Sequence, residues 1–164
     1  MFDGTSRRFE VLSRTDTVLV LPVTKEKNVL LAAERQPGVG ERLHTIGGRI
    51  ENGESPEAAA GRELAEESGY TAQRLVPWTA WQPLSKIDWA VYIYWAGGLS
   101  EPAGTSLDAG EQIRLVPVPA DDLLDFQGVG NIQDAELMYQ LGRAGILPSE
   151  REAMLDAFER AWMP

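Results

Sequence analysis

Residues 48–70, GRIENGESPEAAAGRELAEESGY, contain six glutamates, four of which cluster around one predicted helix. This cluster constrains the chain more than any other feature. Ser55 predicts the N-cap of that helix, Pro56 its first position and Gly69 its end. Side chains spaced i, i+3 and i+4 project from one helical face, so three acids lie about one turn apart and the fourth precedes the helix. Carboxylates this close repel one another unless a cation lies among them. The four are Glu54, Glu63, Glu66 and Glu67.

The type of donor predicts which cation would bind. Oxygen ligands on a preformed helix, with no His or Cys nearby, suit Mg²⁺ or Mn²⁺ rather than Zn²⁺ or copper. Mg²⁺ usually shares its coordination positions with waters and substrate phosphates, which points to diphosphate chemistry. Arg62 stands i, i+4 to Glu66, where a guanidinium can hold a carboxylate in a fixed fork. Gly47 and Gly48 would let the backbone approach a metal or phosphate closely.

An acidic surface helix is the competing interpretation, because glutamate is a good helix former and Gly48 and Gly53 are typical of turns. The spacing of the whole segment favours chemistry instead. It resembles the signature of the Nudix hydrolases, G-x5-E-x7-R-E-U-x-E-E-x-G-U, in which U is a bulky apolar residue. Its positions are filled in register by Gly48, Glu54, Arg62, Glu63, Leu64, Glu66, Glu67, Gly69 and Tyr70.

This resemblance implies an α/β fold, the Nudix α/β/α sandwich with a mixed β-sheet between helices. It also implies hydrolysis of a nucleoside diphosphate linked to another group, with water attacking one phosphorus. Mg²⁺ is the implied cofactor, and Mn²⁺ can substitute for it. Arg62 and Glu54 would be orienting residues. The implied metal ligands are the Gly47 carbonyl, Glu63, Glu67 and Glu66, the last being alternatively a base.

A loop before the last strand often supplies the general base in this family. Here that loop is residues 106–114, SLDAGEQIR, in which Glu111 is the first candidate and Asp108 the second. A solvated loop acid is the alternative interpretation of either residue.

The substrate is predicted from weaker signals. Pro83 lies 14 residues beyond Gly69, in a segment similar to the region where nucleotide-sugar pyrophosphatases carry a marker proline, although a turn before a strand also favours proline. A nucleotide sugar such as ADP-ribose, cleaved to AMP and ribose 5-phosphate, is therefore the expected substrate. Hydrolysis of a nucleoside triphosphate or dinucleoside polyphosphate is one alternative, and a module that senses a nucleotide sugar without cleaving it is another.

Candidate substrate contacts lie on both sides of the glutamate cluster. Two arginines are candidates for phosphate or terminal sugar, and two tryptophans are candidates for stacking on the base, although core packing is the competing role of any strand tryptophan. These residues are Arg35, Arg49, Gly48, Trp81, Pro83 and Trp89.

Composition excludes several classes of protein. The formal net charge of −10 would repel a phosphate backbone, so no nucleic acid is expected as a partner. No apolar run approaches the roughly 20 residues that span a bilayer, and no signal peptide is recognisable, which predicts a cytoplasmic protein without membrane contact. The chain has no cysteine, which excludes disulfides, zinc–thiolate sites and cysteine nucleophiles. Homodimerisation is implied by the resemblance alone.

The 164 residues predict a short N-terminal extension, residues 1–16, and a single domain, residues 17–164. Apolar patterning predicts a hairpin of strands 17–23 and 28–34, a loop over residues 35–44, and further strands over 87–96 and 112–118. Alternation along the strand 87–96 predicts that Trp89, Val91, Ile93 and Trp95 share one face. A short helix is expected after Pro119, and two more over 131–144 and 149–163.

Overall fold

The computed structural model describes residues 8–36, 40–100, 102–103, 113–125 and 132–163, the side chains of residues 35, 36 and 40 excepted. These residues form nine strands and four helices. The strands are β1 (Leu12–Ser13), β2 (Thr17–Pro22), β3 (Asn28–Gln36), β4 (Gly40–His44), β5 (Ile46–Arg49), β6 (Ala72–Trp81), β7 (Ile87–Asp88), β8 (Val91–Leu99) and β9 (Ile113–Pro119). The helices are α1 (Pro56–Ser68), α2 (Ala120–Leu124), α3 (Ala135–Ile146) and α4 (Pro148–Trp162).

A four-stranded mixed sheet with the order β5-β2-β8-β6 forms the centre of the molecule. Strands β2 and β8 are parallel, from Thr17 opposite Val91 to Pro22 opposite Ala96. The outer strands β5 and β6 pair antiparallel with them. Because the two central strands are apolar on both faces, each face of the sheet needs a covering layer.

Helix α1 covers one face. It begins where Ser55 Oγ accepts the Ala58 N–H at 3.1 Å, and it ends at Gly69, whose φ of 74° is left-handed. Its buried side presents Ala59 and Ala60 to the sheet. These small side chains let the helix lie close to β2 and β5, which places its glutamates beside the end of β5.

The other face carries the larger core, closed by helices α2–α4 and a second sheet with the order β4-β3-β9. Trp95 on β8 is fully buried and packs edge-to-face against Phe158 of α4, with the ring centroids 5.2 Å apart. The predicted alternation along β8 is confirmed, since Val91, Ile93 and Trp95 face this core together.

The predicted hairpin of residues 17–23 with 28–34 is wrong. A tight turn does connect them, with the Thr24 N–H donating to the Asn28 carbonyl at 2.9 Å. Beyond the isolated Val23–Val29 bridge, however, the two strands enter different sheets. Strand β2 takes β5 and β8 as its neighbours, so no edge of β2 is free for β3.

The predicted loop at 35–44 is largely wrong as well. Strand β3 continues to Gln36, and β4 runs antiparallel to it from Gly40 to His44. In the backbone register of this pair, Glu34 lies opposite Arg42 and Arg35 opposite Glu41. Pro37, Gly38 and Gly40 suggested a long loop, whereas residues 35–36 and 40–44 belong to strands.

Other elements follow the sequence more closely. The predicted strand over 87–96 is divided into β7 and β8, and no strand was predicted where β6 lies. Helices α2, α3 and α4 are confirmed, with α3 beginning at Ala135 rather than at 131. Strand β1, in the predicted extension, pairs parallel with β7. No helix in the part of the chain that the structure describes has the length and apolar character to cross a bilayer.

Candidate active site

Arg62 is the centre of the candidate site, and all five N–H donors of its guanidinium form hydrogen bonds. Nε donates to Glu54 Oε1 at 3.1 Å, and Nη2 donates to Glu54 Oε2 at 3.0 Å and to the Arg49 carbonyl at 2.9 Å. Nη1 donates to Glu63 Oε1 at 2.8 Å and to Glu66 Oε2 at 3.0 Å. One guanidinium thus connects three carboxylates to the end of β5.

These contacts decide the charge state of the cluster. Hydrogen bonds from Arg62 hold the pKa of Glu54 below its usual range. Burial raises the pKa of Glu63, although the neighbouring guanidinium acts in the opposite direction. The carboxylates, Glu54 first, raise the pKa of Arg62 further above its already high ordinary value, so Arg62 is a fixed cation.

Gly47 and Gly48 lie where no side chain would fit. A Cβ on Gly47 would come within 2.2 Å of the Val18 carbonyl oxygen on the adjacent strand. A Cβ on Gly48 would come within 2.3 Å of Glu63 Oε1. The Gly47 N–H also donates to Glu67 Oε2 at 3.3 Å. The two glycines therefore let the carboxylates of α1 lie directly against the backbone of β5, while the approach of this backbone to a metal or phosphate stays a prediction.

The residues fit a divalent cation in chemistry and charge. Four carboxylates and one guanidinium leave a formal charge of −3, and every candidate donor is an oxygen. Within the described residues, no three acidic or histidine side chains converge as they would around an ion. Glu63 and Glu66 turn toward Arg62 instead, and Glu67 turns toward Gly47. The Glu66 side chain is 44% exposed, so it is free to rotate toward an ion.

The predicted substrate contacts are distributed around the sheet. Arg49 ends β5 and is exposed, while Trp81 ends β6 and is half-buried against the larger core. Pro83 is half-buried in the bend that follows β6. Arg35 pairs through its backbone with Glu41, and its side chain lies outside the described part of the chain.

Trp89 occupies the core rather than an open surface. Its side chain is 5% exposed, and its Nε1–H donates to Thr17 Oγ1 at 3.0 Å. The Arg14 guanidinium lies 4.3 Å from the ring centroid. A base platform needs an exposed ring face, so this burial favours the competing role of a core residue and opposes the predicted stacking role.

Two predicted loop acids are not described by the structure, and one contact near the site was not predicted. Glu111 and Asp108 lie outside the described residues. Sequence reasoning missed a contact between Asp134 and Thr45, whose backbone leads directly into the glycine pair. Asp134 falls inside the predicted helix of residues 131–144, and neither its position nor that of Thr45 carries a signal for this contact.

Comparison with known proteins identifies the family. A family model described as the NUDIX domain matches residues 13–140. The chain is 30% identical over 142 residues to the ADP-ribose pyrophosphatase of Bacillus subtilis (strain 168), covering 85% of this chain and 77% of that protein. It is 27% identical over 138 residues to the methanol dehydrogenase activator of Bacillus methanolicus, covering 82% and 74%.

A solved structure gives the same result. The crystal structure of an ADP compounds hydrolase superimposes with a TM-score of 0.69 at 25% identity, covering 85% of this chain and 77% of that chain. The chain therefore belongs to the Nudix family. Both the resemblance drawn from the glutamate segment and the expected α/β/α fold are confirmed.

Proposed function

We propose that the protein hydrolyses the diphosphate bond of a nucleotide sugar, with ADP-ribose as the expected substrate and AMP and ribose 5-phosphate as products. The observation that carries this proposal is the complete glutamate cluster, organised by Arg62 against Gly47 and Gly48. A binding module has no need for such a concentration of uncompensated carboxylates. The names of the Bacillus subtilis relative and of the ADP compounds hydrolase support a substrate in which ADP is linked to another group.

The proposed cofactor is Mg²⁺, for which Mn²⁺ can substitute. When bound, such a cation neutralises diphosphate oxygens and lowers the pKa of water. Arg62 and Glu54 do not need to contact it, because their role is to fix the neighbouring carboxylates in place. The residues that would hold it are the Gly47 carbonyl, Glu63, Glu67 and Glu66.

The reaction consumes one water molecule. The water oxygen attacks one phosphorus, and the bond from that phosphorus to the bridging oxygen breaks, so the bridging oxygen leaves on the other phosphate. The general base takes the proton of the attacking water. Glu111 is proposed for this role, and Glu66 is the candidate from the helix. Proton transfer of this kind contributes about 10²–10⁴-fold to rate.

Recognition of the rest of the substrate is proposed for residues around the cluster. Arg35 and Arg49 would bind phosphate or the terminal sugar, Gly48 would admit the diphosphate, and Trp81 and Pro83 would lie near the base. A homodimeric, cytoplasmic protein is also proposed. Light scattering at several protein concentrations tests the dimer, and a monomeric mass would contradict it.

Product analysis tests the activity. The purified protein is incubated with nucleotide sugars, dinucleotides and nucleoside triphosphates, in Mg²⁺ and separately in Mn²⁺. Two monophosphates released from ADP-ribose support the proposal. Pyrophosphate released from a triphosphate would indicate the alternative hydrolase, and tight binding without cleavage would indicate a sensing module.

A pair of variants ties the activity to this site. Glu67→Gln removes a carboxylate that contacts Gly47, whereas Glu57→Gln changes an exposed residue in the first turn of the same helix. Only the first should abolish turnover. Equal activities would show that a contaminating hydrolase produced the products.

A further inference from the structure

Asp134 occupies the N-cap position of α3, yet its side chain makes no capping hydrogen bond to that helix. Its Oδ2 instead accepts hydrogen bonds from both the N–H of Thr45 and the hydroxyl of Thr45, the latter at 2.9 Å. An aspartate at an N-cap ordinarily satisfies the free N–H groups of its own helix. Here the carboxylate binds Thr45 instead, 89 residues away in sequence.

Thr45 is held on all of its polar groups. While Asp134 accepts from its N–H and its hydroxyl, the His44 Nδ1 lies 2.9 Å from its carbonyl oxygen. A carbonyl only accepts, so Nδ1 carries the proton in this contact. Thr45 is also 3% exposed. A residue restrained in this way has almost no freedom to move relative to α3.

Thr45 lies between two strands that belong to different sheets. Strand β4 of the smaller sheet ends at His44, and strand β5 of the central sheet begins at Ile46. Thr45 is therefore the single residue between β4 and β5, where the chain passes from the smaller sheet to the central sheet. The attachment is reinforced on its N-terminal side, where the Gln133 N–H donates to the Leu43 carbonyl at 2.8 Å.

Two residues beyond Thr45, the backbone of β5 comes into direct contact with the glutamate cluster. The Gly47 N–H contacts Glu67, and the Gly48 backbone lies against the Glu63 carboxylate. A shift of this segment would change both contacts, because the backbone of Gly47 and Gly48 itself makes them. Restraint at Thr45 is thus transmitted to two carboxylates of the site.

We propose that Asp134 is a positioning residue of the active site, which acts through Thr45 to fix the backbone of Gly47 and Gly48 against the carboxylates of α1. The inference rests on the proposed function, since it assumes that this backbone and these carboxylates bind a divalent cation. Burial of Asp134 raises its pKa, so an ionisable group is retained here against the cost of burying it. The carboxylate is the acceptor for the buried N–H of Thr45, which an apolar side chain at position 134 would leave without a partner.

The test uses cation binding rather than turnover alone. Affinity for Mn²⁺ is measured by calorimetry on the metal-free full chain, together with kcat, KM and the melting temperature. Asp134→Ala should weaken Mn²⁺ binding about tenfold and lower kcat more than it changes KM. Asp134→Asn retains an acceptor oxygen for both donors of Thr45 and should recover most of the affinity.

A second pair of variants keeps the test decisive if Asp134→Ala does not fold. Thr45→Val removes the hydroxyl donor at nearly constant volume, and Thr45→Ser keeps it. Weaker Mn²⁺ binding in the first variant and nearly unchanged binding in the second would support the inference. The control is Asp122→Ala, an exposed acid in the first turn of α2.

Two other sets of results would contradict the inference or the proposed function. Mn²⁺ affinity and kcat equal to wild type in Thr45→Val and in any folded Asp134→Ala, with only a lower melting temperature, would overturn the inference and leave a structural contact. Failure of the wild type to cleave any nucleotide sugar would contradict the proposed function instead. Because Mn²⁺ binding does not depend on the identity of the substrate, the two failures are distinguishable.

Discussion

The two faces of strand β8 carry different side chains and serve different purposes. On one face, Tyr94 and Ala96 pack with Ala59 and Ala60 of α1, so the helix lies close to the sheet and its charged rim meets the glycines of β5. On the other face, Trp95 packs in a large aromatic and aliphatic core. Close approach and charge characterise the first face, and apolar volume characterises the second.

The energetics of the two faces should differ accordingly. The ion pairs of Arg62 join partners whose side chains are 11–44% exposed, and at that burial the attraction is largely offset by the cost of desolvating the charges. Burial of an aromatic side chain contributes several kcal/mol. The comparison therefore predicts that activity and stability depend on different residues, and the following variants test this separation.

The largest expected effect is on activity. Glu63→Gln removes the charge that Arg62 and the glycine pair hold in place, and it should lower kcat by about 10³-fold or more, equivalent to about 4 kcal/mol. The melting temperature of the metal-free protein should not fall, because the neutral amide is cheaper to bury at this position. Steady-state kinetics in saturating Mg²⁺ and thermal unfolding measure the two quantities. A variant with close to wild-type kcat would contradict the assignment of Glu63.

The second variant should give the opposite pattern. Phe158 is 3% exposed and contacts Trp95, so Phe158→Ala should lower the free energy of unfolding by about 3–5 kcal/mol. That corresponds to a fall of roughly 6–20 °C in melting temperature for a chain of this size. Below the transition, kcat should stay near the wild-type value. Phe158→Leu, which keeps most of the volume, should be affected much less.

A reversed outcome would break the comparison. If Phe158→Ala lost activity while remaining fully folded at the assay temperature, the aromatic core would be part of the site, and the two faces would not be separable. Circular dichroism at that temperature establishes the folded fraction.

The third variant tests whether geometry or charge organises the glutamates. Arg62→Lys keeps the positive charge but replaces five donors in a rigid fork by three on a flexible stem. It cannot maintain the bonds to Glu54, the Arg49 carbonyl and two further carboxylates together. We expect kcat/KM to fall roughly 30-fold, about 2 kcal/mol, with little change in stability. Wild-type kinetics in this variant would show that charge alone suffices.

How far the sequence predicted this molecule depends on how local each signal is. The boundaries of α1 were predicted because Ser55, Pro56 and Gly69 act on their own helix, and the glutamate row followed from helical spacing. The alternation along β8 predicted which residues share a face, but not that Trp89 would be covered. Periodicity assigns faces, whereas burial depends on what packs against them.

The errors concern contacts between distant segments. The predicted hairpin was wrong because nothing in residues 17–34 states that β2 already has two neighbours, contributed by residues 46–49 and 91–96. The contact of Asp134 with Thr45 was missed for the same reason, since nothing near residue 134 indicates that its carboxylate binds a residue 89 positions away. In both cases the local pattern was compatible with more than one tertiary partner.

The smallest predicted effect concerns the boundary between the two faces, where Asp134 meets the strand that leads into the site. Burial raises its pKa in the folded chain above the ordinary value of 3.8. A raised folded pKa means that the folded state binds the proton more tightly, so this contribution to stability is complete below pH 3.8 and is lost as the pH rises through the folded value. Asp134→Asn cannot lose it, because the amide does not titrate.

The melting temperature of Asp134→Asn should therefore rise relative to wild type between pH 4 and pH 7, by no more than the 2–4 °C that about 1 kcal/mol produces in a chain of this size. The cost of burying the amide does not depend on pH, so it displaces the melting temperature of Asp134→Asn relative to wild type without changing how that difference varies with pH. His44 and Glu136, the ionisable neighbours of Asp134, and Glu34 beyond His44 are present in both proteins. Asp122→Asn, at an exposed position, is the matched control. Parallel melting curves for Asp134→Asn and wild type would show that Asp134 carries no burial cost, and the carboxylate would then resemble the exposed acids of the surface rather than a restrained element of the site.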